Sequence, residues 1–109
     1  MPRLTAEFWV QAYLRRLDLA NIPAFLVYKG DLTAGAVLVK SNQLNGNATL
    51  FQRTYNAEGQ RVWSVLEDGL EPEIDNIVAK QRQYDPDLWV IEVEDQQGRT
   101  LLDEEGLFG

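Results

Sequence analysis

The residue types that most enzymes use for proton transfer, metal binding and nucleophilic attack are largely missing from this chain. Its 109 residues contain no histidine and no cysteine, which excludes the commonest proton shuttle and metal ligand and the usual thiol nucleophile. Ser41 and Ser64 are the only serines, and neither lies in a nucleophile-elbow motif. The sequence therefore assigns no catalytic residue, and we expect no cofactor.

Glu92 and Glu94 form the clearest pair of carboxylates. Residues two apart on a strand project from the same face, with Cα atoms about 6 to 7 Å apart, and a hard divalent cation could bind such a pair. However, the alternation of these glutamates with Trp89, Ile91 and Val93 is typical of a half-buried strand whose polar face is solvated. We favour the solvated strand, assign no metal ligand and expect folding to need no divalent metal.

The segment Asp85-Pro86-Asp87 places a second pair of carboxylates just before Trp89. A functional interpretation is a binding site at the mouth of a loop, in which Asp87 and Trp89 contact the ligand. The simpler interpretation is the end of a helix followed by the start of a strand, for which aspartate and proline are common residues. We favour the simpler one and keep both residues as binding candidates.

Arg15 and Arg16 are adjacent cations that, together with Lys40, could form an anion-binding surface. Neighbouring positions on a helix point about 100° apart, so the two arginines do not form one fork around an anion. They also lie toward the C-terminal end of a predicted helix, where cations offset the helix dipole. A solvated surface is the favoured interpretation, and an anion-binding module is the third functional option.

Hydrophobic periodicity predicts the elements that position these residues. Trp9, Tyr13 and Leu17 form one apolar stripe, which predicts a helix from about Ala6 to Ala20 capped by Thr5. A second helix, with a narrower stripe, begins at Glu71-Pro72 and ends at Asp85-Pro86. Runs rich in β-branched and aromatic residues predict five strands, at residues 24–29, 36–40, 49–55, 61–67 and 88–94.

These elements predict a single α+β domain over residues 1–109, with the order α-β-β-β-β-α-β. The first two strands are expected to form a hairpin, and the four middle strands a meander. The sheet is then mainly antiparallel, with about five strands. Both helices are expected on one face of it.

Three segments resemble a known family. They are FWVQAYLRR at residues 8–16, GDLTAGAVLVK at residues 30–40 and YDPDLWVIEVEDQQGR at residues 84–99. On these segments the chain resembles the alphaproteobacterial family called domain of unknown function 1491. The resemblance spans most of the length and implies a small bacterial protein. It brings no assigned activity and no site residue.

The charge of the chain limits its partners. The formal net charge is −7, and it is concentrated in residues 65–109, which carry thirteen acidic residues against three basic ones. Because nucleic-acid affinity depends on neutralising phosphates, we expect no binding to nucleic acid or to an anionic membrane. No apolar run approaches the roughly 20 residues of a membrane span, and the first residues lack an apolar signal segment. We therefore expect a cytoplasmic protein.

The predicted fold also suggests how the chain could act. Two helices cannot cover both faces and both edges of a five-stranded sheet, and exposed apolar strands commonly mark partner sites. We therefore predict a non-catalytic protein-interaction module that associates with itself or with another protein. The alternative is a small carboxylate-based enzyme or divalent-metal-binding protein around Glu92 and Glu94. The sequence identifies no small-molecule substrate.

Overall fold

The computed structural model describes residues 5–103, which form two helices and one five-stranded sheet. The predicted α+β class and element order are confirmed. None of the helices within residues 5–103 is long and apolar enough to cross a lipid bilayer. In chain order the elements are α1 (Ala6–Leu19), β1 (Ala24–Tyr28), β2 (Val37–Asn42), β3 (Asn47–Tyr55), β4 (Arg61–Leu70), α2 (Glu71–Tyr84) and β5 (Trp89–Glu94).

Helix α1 begins where the sequence predicts. The Thr5 side-chain oxygen accepts a hydrogen bond from the backbone N–H of Phe8 at 3.2 Å, which satisfies one of the unpaired donors at the helix start. The stripe that was expected to pack on the sheet is buried: Trp9 is 2% exposed, and Tyr13 and Leu17 are 0% exposed. The helix ends before Asn21, which adopts a left-handed backbone conformation with φ of 58°.

The sheet has the strand order β1-β5-β2-β3-β4. Strands β2, β3 and β4 form the last three strands of the predicted meander, and β1 pairs with β5 in an antiparallel ladder. The predicted hairpin between the first two strands is wrong, because β5 lies between them and runs parallel to β2. The sheet is therefore mixed, with one parallel pair among its four.

Strand β5 lies at an internal position of the sheet and is largely buried on both faces. A strand that is buried on both faces needs a nearly continuous apolar run, and Trp89, Val90, Ile91 and Val93 provide one. A parallel partner also needs a long crossover connection, which α2 provides between β4 and β5. Strand β1 is left at the edge of the sheet.

The two helices lie on opposite faces of the sheet, so the expectation that both cover one face is wrong. Helix α1 packs in a core cluster with Val39 and Ile91, whereas α2 contributes Ile74 to a separate cluster with Leu50. The physical reason is that β2 and β5 carry apolar residues on both faces, and each face has to be removed from water.

Candidate functional site

Asp87 and Trp89 hold the loop that connects β1 to β2. The Trp89 indole N–H donates to the carbonyl oxygen of Asp31 at 2.7 Å, and the Asp31 backbone N–H donates to the carbonyl oxygen of Asp87 at 2.9 Å. Trp89 is 2% exposed, while the Asp87 side chain is exposed. The structure therefore brings these two binding candidates together in a loop contact, with the polar atom of the indole already bonded within the protein.

The glycines at the two ends of this loop are explained by the same contact. A Cβ atom on Gly35 would lie 2.8 Å from Cδ1 of Trp89 and would overlap the carbonyl oxygen of Asp87, and Gly30 is equally crowded. Only a residue without a side chain lets the loop approach the start of β5 this closely. The second and third segments that carry the family resemblance are thus in direct contact.

Replacing Gly35 with alanine is expected to lower the free energy of unfolding by about 2 to 3 kcal/mol, because the new methyl group forces the loop away from Trp89. Urea unfolding measures this loss. Gly69→Ala is the matched control, since its Cβ would meet only the flexible Glu73 carboxylate at 3.3 Å. Equal, small losses for both variants would show that the loop contact is not tight.

A buried ion cluster lies between β2, β5 and the start of α2. The Lys40 side chain is 5% exposed, and its Nζ lies 2.7 Å from Oε2 of Glu71, 2.6 Å from Oδ1 of Asp75 and 3.1 Å from Oε1 of Glu92. The Asn42 amide also donates to Glu71 at 2.9 Å and to Glu92 at 3.2 Å. We call these five residues the Lys40 cluster.

The Lys40 cluster stabilises charge and is poorly suited to base catalysis. Burial by itself lowers the pKa of Lys40, but the hydrogen bonds to Asp75, Glu71 and Glu92 outweigh it, so the pKa is raised above its ordinary value. A lysine that acts as a base or as a Schiff-base nucleophile needs the opposite shift. The cluster therefore ties α2 to the sheet through a permanently charged ammonium group.

Glu92 belongs to the Lys40 cluster, whereas the Glu94 side chain is not one of its members. Both side chains are partly buried on the face of the sheet that carries α2. The Lys40 ammonium occupies the position that a cation would need beside Glu92. Within residues 5–103 no metal-binding group of acidic side chains is found, and the three carboxylates that do converge, those of Glu71, Asp75 and Glu92, surround the Lys40 ammonium.

The three cations of the predicted anion-binding surface are not brought together. Arg15 and Arg16 lie on the exposed side of α1, and Arg15 is 3.7 Å from Asp18 in a solvated ion pair. Lys40 contacts α2 on the opposite face of the sheet. The structure therefore provides no common site for an anion at these residues.

Strand β1 is the most exposed apolar element of the sheet. It lies at one edge, and Phe25, Leu26, Val27 and Tyr28 are each 39–46% exposed. Its C-terminal end is fixed by Arg82, whose guanidinium lies 5.1 Å from the Tyr28 ring centroid and donates to the carbonyl oxygen of Lys29 at 3.0 Å. The edge is thus held in position while its side chains face solvent.

Sequence reasoning missed two of these features. The Lys40 cluster joins residues far apart in the chain, and its only local signal is the polar second half of β2, where Lys40, Ser41 and Asn42 follow three apolar residues. The edge position of β1 had no signal, because its apolar run resembles that of an internal strand.

Comparisons with known proteins agree on one family. The family model described as "Protein of unknown function (DUF1491)" matches residues 4–103. The crystal structure of a DUF1491 family protein from Caulobacter crescentus CB15 superimposes on this chain with a TM-score of 0.85 and 38% sequence identity. The match covers 94% of this chain and 97% of that chain. Protein Atu0922 from A. tumefaciens is 29% identical, with a TM-score of 0.76 over 93% of each chain. No curated protein matches the chain.

An NMR structure of a DUF1491 family protein from Caulobacter crescentus CB15 is also similar, at 38% identity and a TM-score of 0.82 over 95% of this chain and 96% of that chain. The resemblance found in the three sequence segments is thereby confirmed. The family description states no activity, so it transfers no site residue. With a family match from residue 4 to residue 103, this chain belongs to the DUF1491 family of proteins of unknown function.

Proposed function

We propose that this protein is a non-catalytic interaction module whose docking surface is the edge of β1 and whose partner is a second copy of the chain. The observation that supports the proposal is the exposure of β1. An edge strand presents a row of unpaired backbone groups, and its pairing with another strand extends the sheet across two molecules.

The two edges of the sheet differ in the way that the proposal requires. Strand β1 has no charged residue between Ala24 and Tyr28, and within residues 5–103 it pairs only with β5. The opposite edge, β4, carries Arg61, Glu67 and Asp68, and charges of this kind discourage pairing between edges. Of the two, β1 is therefore the edge suited to association.

A second copy fits β1 because the strand is self-complementary. The ladder of β1 is irregular between Leu26 and Tyr28, so a regular pair of copies requires this segment to straighten. In an antiparallel pair centred on Leu26, Phe25 of one copy then lies opposite Val27 of the other, and apolar side chains meet on both faces. Lys29 then lies opposite Pro23, so no like charges face each other across the pair. Such an interface is two-fold symmetric, as in most homodimers.

Sedimentation velocity over a wide range of protein concentration tests this proposal. We expect a monomer–dimer equilibrium that shifts toward the dimer at moderate salt, because screening reduces the repulsion between two chains of net charge −7. Leu26→Lys should keep the protein monomeric. Val65→Lys, at a 55% exposed position on β4, is the matched control and should leave the dimer intact.

Two outcomes would contradict the proposed dimer. One is a strict monomer at high micromolar concentration and moderate salt. The other is an equal loss of association in both lysine variants, which would show a general charge effect rather than pairing through β1. A monomer that binds an extended segment of a different protein along β1 would assign the same edge to another partner.

The alternative enzyme or metal-binding function around Glu92 and Glu94 has weaker support. Glu92 is bonded to Lys40 and Asn42, so its carboxylate is occupied by a structural contact. Two further acids, Glu71 and Asp75, bind the same ammonium group. No observation at these residues favours a reaction over a stabilising role.

A further inference from the structure

The turn between β2 and β3 contains an asparagine that is followed directly by glycine. This pair is the one most prone to spontaneous deamidation, because glycine has no side chain to hinder attack by its backbone nitrogen. Asn45 is the only asparagine of the chain that glycine follows. Both Asn45 and Gly46 are exposed, so water and hydroxide can reach them.

The turn holds the two reacting groups close together. The side-chain carbonyl oxygen of Asn45 accepts a hydrogen bond from the backbone N–H of Asn47 at 3.0 Å. The ring that this bond closes contains the Asn45 Cγ, which is the carbon to be attacked, and the Gly46 nitrogen, which attacks it. The same N–H stabilises the negative charge that develops on the carbonyl oxygen during the attack.

The Gly46 nitrogen is available for this attack. Within residues 5–103 its N–H bonds to no acceptor, so no hydrogen bond has to break before it loses its proton. Gly46 has φ of 92°, and even a Cβ atom placed on it would meet no other atom within 4 Å. A cyclic imide between the two residues therefore has room to form.

From these observations we propose that Asn45 is a modification site, at which the folded protein converts asparagine into isoaspartate and aspartate without an enzyme. The Gly46 nitrogen loses its proton to hydroxide and bonds to Cγ of Asn45, and the side-chain amide takes up a proton and leaves as ammonia. Water then opens the imide: attack on the backbone carbonyl carbon gives isoaspartate, and attack on Cγ gives aspartate. Each conversion consumes one water and adds one negative charge. The site does not involve β1 and does not depend on the proposed dimer.

The turn is tied to α2, and the modification therefore acts beyond Asn45. The Gly46 carbonyl oxygen accepts a hydrogen bond from the backbone N–H of Glu71 at 2.9 Å, and α2 has no side-chain cap at its start. The Leu44 N–H donates to the Asn42 side chain at 2.9 Å, and the Asn42 amide donates to Glu71. An isoaspartate lengthens the backbone just before Gly46. We therefore expect it to displace the Gly46 carbonyl and weaken the start of α2.

Incubation of the folded protein at mildly alkaline pH, followed by peptide mapping with mass spectrometry, tests the proposal. We expect the peptide that contains Asn45 to gain about 1 Da and to separate into two products, of which isoaspartate is the larger. Asn47 is the matched control in the same turn, because it is exposed and is followed by alanine. Its conversion should be slower by about tenfold or more, and fragmentation of the peptide distinguishes the two positions.

The same incubation in guanidinium chloride separates the turn geometry from the sequence. The unfolded chain keeps the Asn-Gly pair and loses the hydrogen bond from Asn47, so we expect the folded protein to convert at a comparable or higher rate. Asn45→Ser, which keeps an oxygen acceptor for Asn47 and lacks the amide, should stay unmodified at this position. An unaltered Asn45 in the folded protein, at a time when most of the unfolded chain has converted, would overturn the proposal.

Urea unfolding of the separated products tests the link to α2. Asn45→Asp carries the new charge without the longer backbone, and we expect it to unfold at nearly the same urea concentration as the unaltered protein. The isoaspartate form should unfold at a lower concentration. Equal midpoints for the isoaspartate form and Asn45→Asp would show that the modification does not disturb the contact between Gly46 and Glu71.

Discussion

Replacing Trp9 with alanine is expected to lower the free energy of unfolding by about 3 to 5 kcal/mol, the range for removing a large buried aromatic side chain. The indole is 2% exposed, stacks on Tyr13 at a centroid distance of 4.9 Å and lies 5.4 Å from the ring of Trp63. The guanidinium of Arg53 lies 4.8 Å from the same indole. The lower free energy of unfolding therefore has two causes: the cavity that the indole leaves, and the absence of its contacts with Tyr13, Trp63 and Arg53.

Urea unfolding followed by circular dichroism measures the effect of Trp9→Ala. Phe8→Ala is the matched control, because Phe8 is the preceding residue of the same helix and is 57% exposed. We expect the control to change the free energy of unfolding by less than about 1 kcal/mol. A loss of that small size for Trp9→Ala as well would show that the α1 stripe does not form the core.

Replacing Lys40 with methionine is expected to cost about 3 kcal/mol, although methionine is similar in length and more hydrophobic. The change leaves Glu71, Asp75 and Glu92 close together with no cation between them. Removing one partner of a buried ion cluster typically costs about 3 to 5 kcal/mol. We expect the lower end, because the Asp75 side chain is 56% exposed and can be rehydrated.

Two further variants separate the cluster from a general effect of charge. Lys80→Met removes an exposed cation from α2, the helix that Lys40 binds. We expect it to change the free energy of unfolding by less than about 0.5 kcal/mol. Adding Glu92→Gln to Lys40→Met should restore part of the loss, because it removes one of the repelling carboxylates. If Lys40→Met is as stable as the unaltered protein, the cluster contributes no net stability.

The direction of the Lys40 pKa shift also predicts a pH dependence. A lysine whose pKa is higher in the folded state contributes stability that is fully present below the unfolded value of about 10.5. That contribution is lost only as the pH rises through the folded pKa. Lys40 is therefore charged and stabilising throughout the neutral range.

The sequence predicts the elements of this fold well because each of them has a local signal. The start of α1 is marked by Thr5 and the start of α2 by Pro72 at the first turn, and both helices begin at the predicted residue. The strands are marked by short apolar runs between turn residues such as Gly46 and Gly59, which adopt positive φ.

The arrangement of the elements depends on long-range contacts that have no local signal. The runs of β1 and β5 are similarly apolar, and only their pairing decides that β5 is internal and β1 is at the edge. The same applies to the Lys40 cluster, in which residues 40 and 92 meet across the parallel pair of β2 and β5. A prediction of hairpins between successive strands cannot produce either contact.

The candidate residues illustrate the same limit. The sequence marks Asp87 and Trp89 as possible ligand contacts, but their role in the loop depends on Gly30 and Gly35, about fifty residues earlier in the chain. The sequence predicts a solvated surface at Arg15 and Arg16, and both residues are exposed. Whether any of the named candidates contacts a ligand stays a prediction.

Amide hydrogen exchange, measured by NMR at low and at high protein concentration, tests most directly whether the edge of β1 is the docking surface. If two copies pair there, the amides of β1 that do not bond to β5 exchange more slowly at high concentration, while those along the outer edge of β4 do not change. Unchanged exchange in β1 at a concentration where sedimentation shows a dimer, or protection along β4 instead, would contradict the proposal.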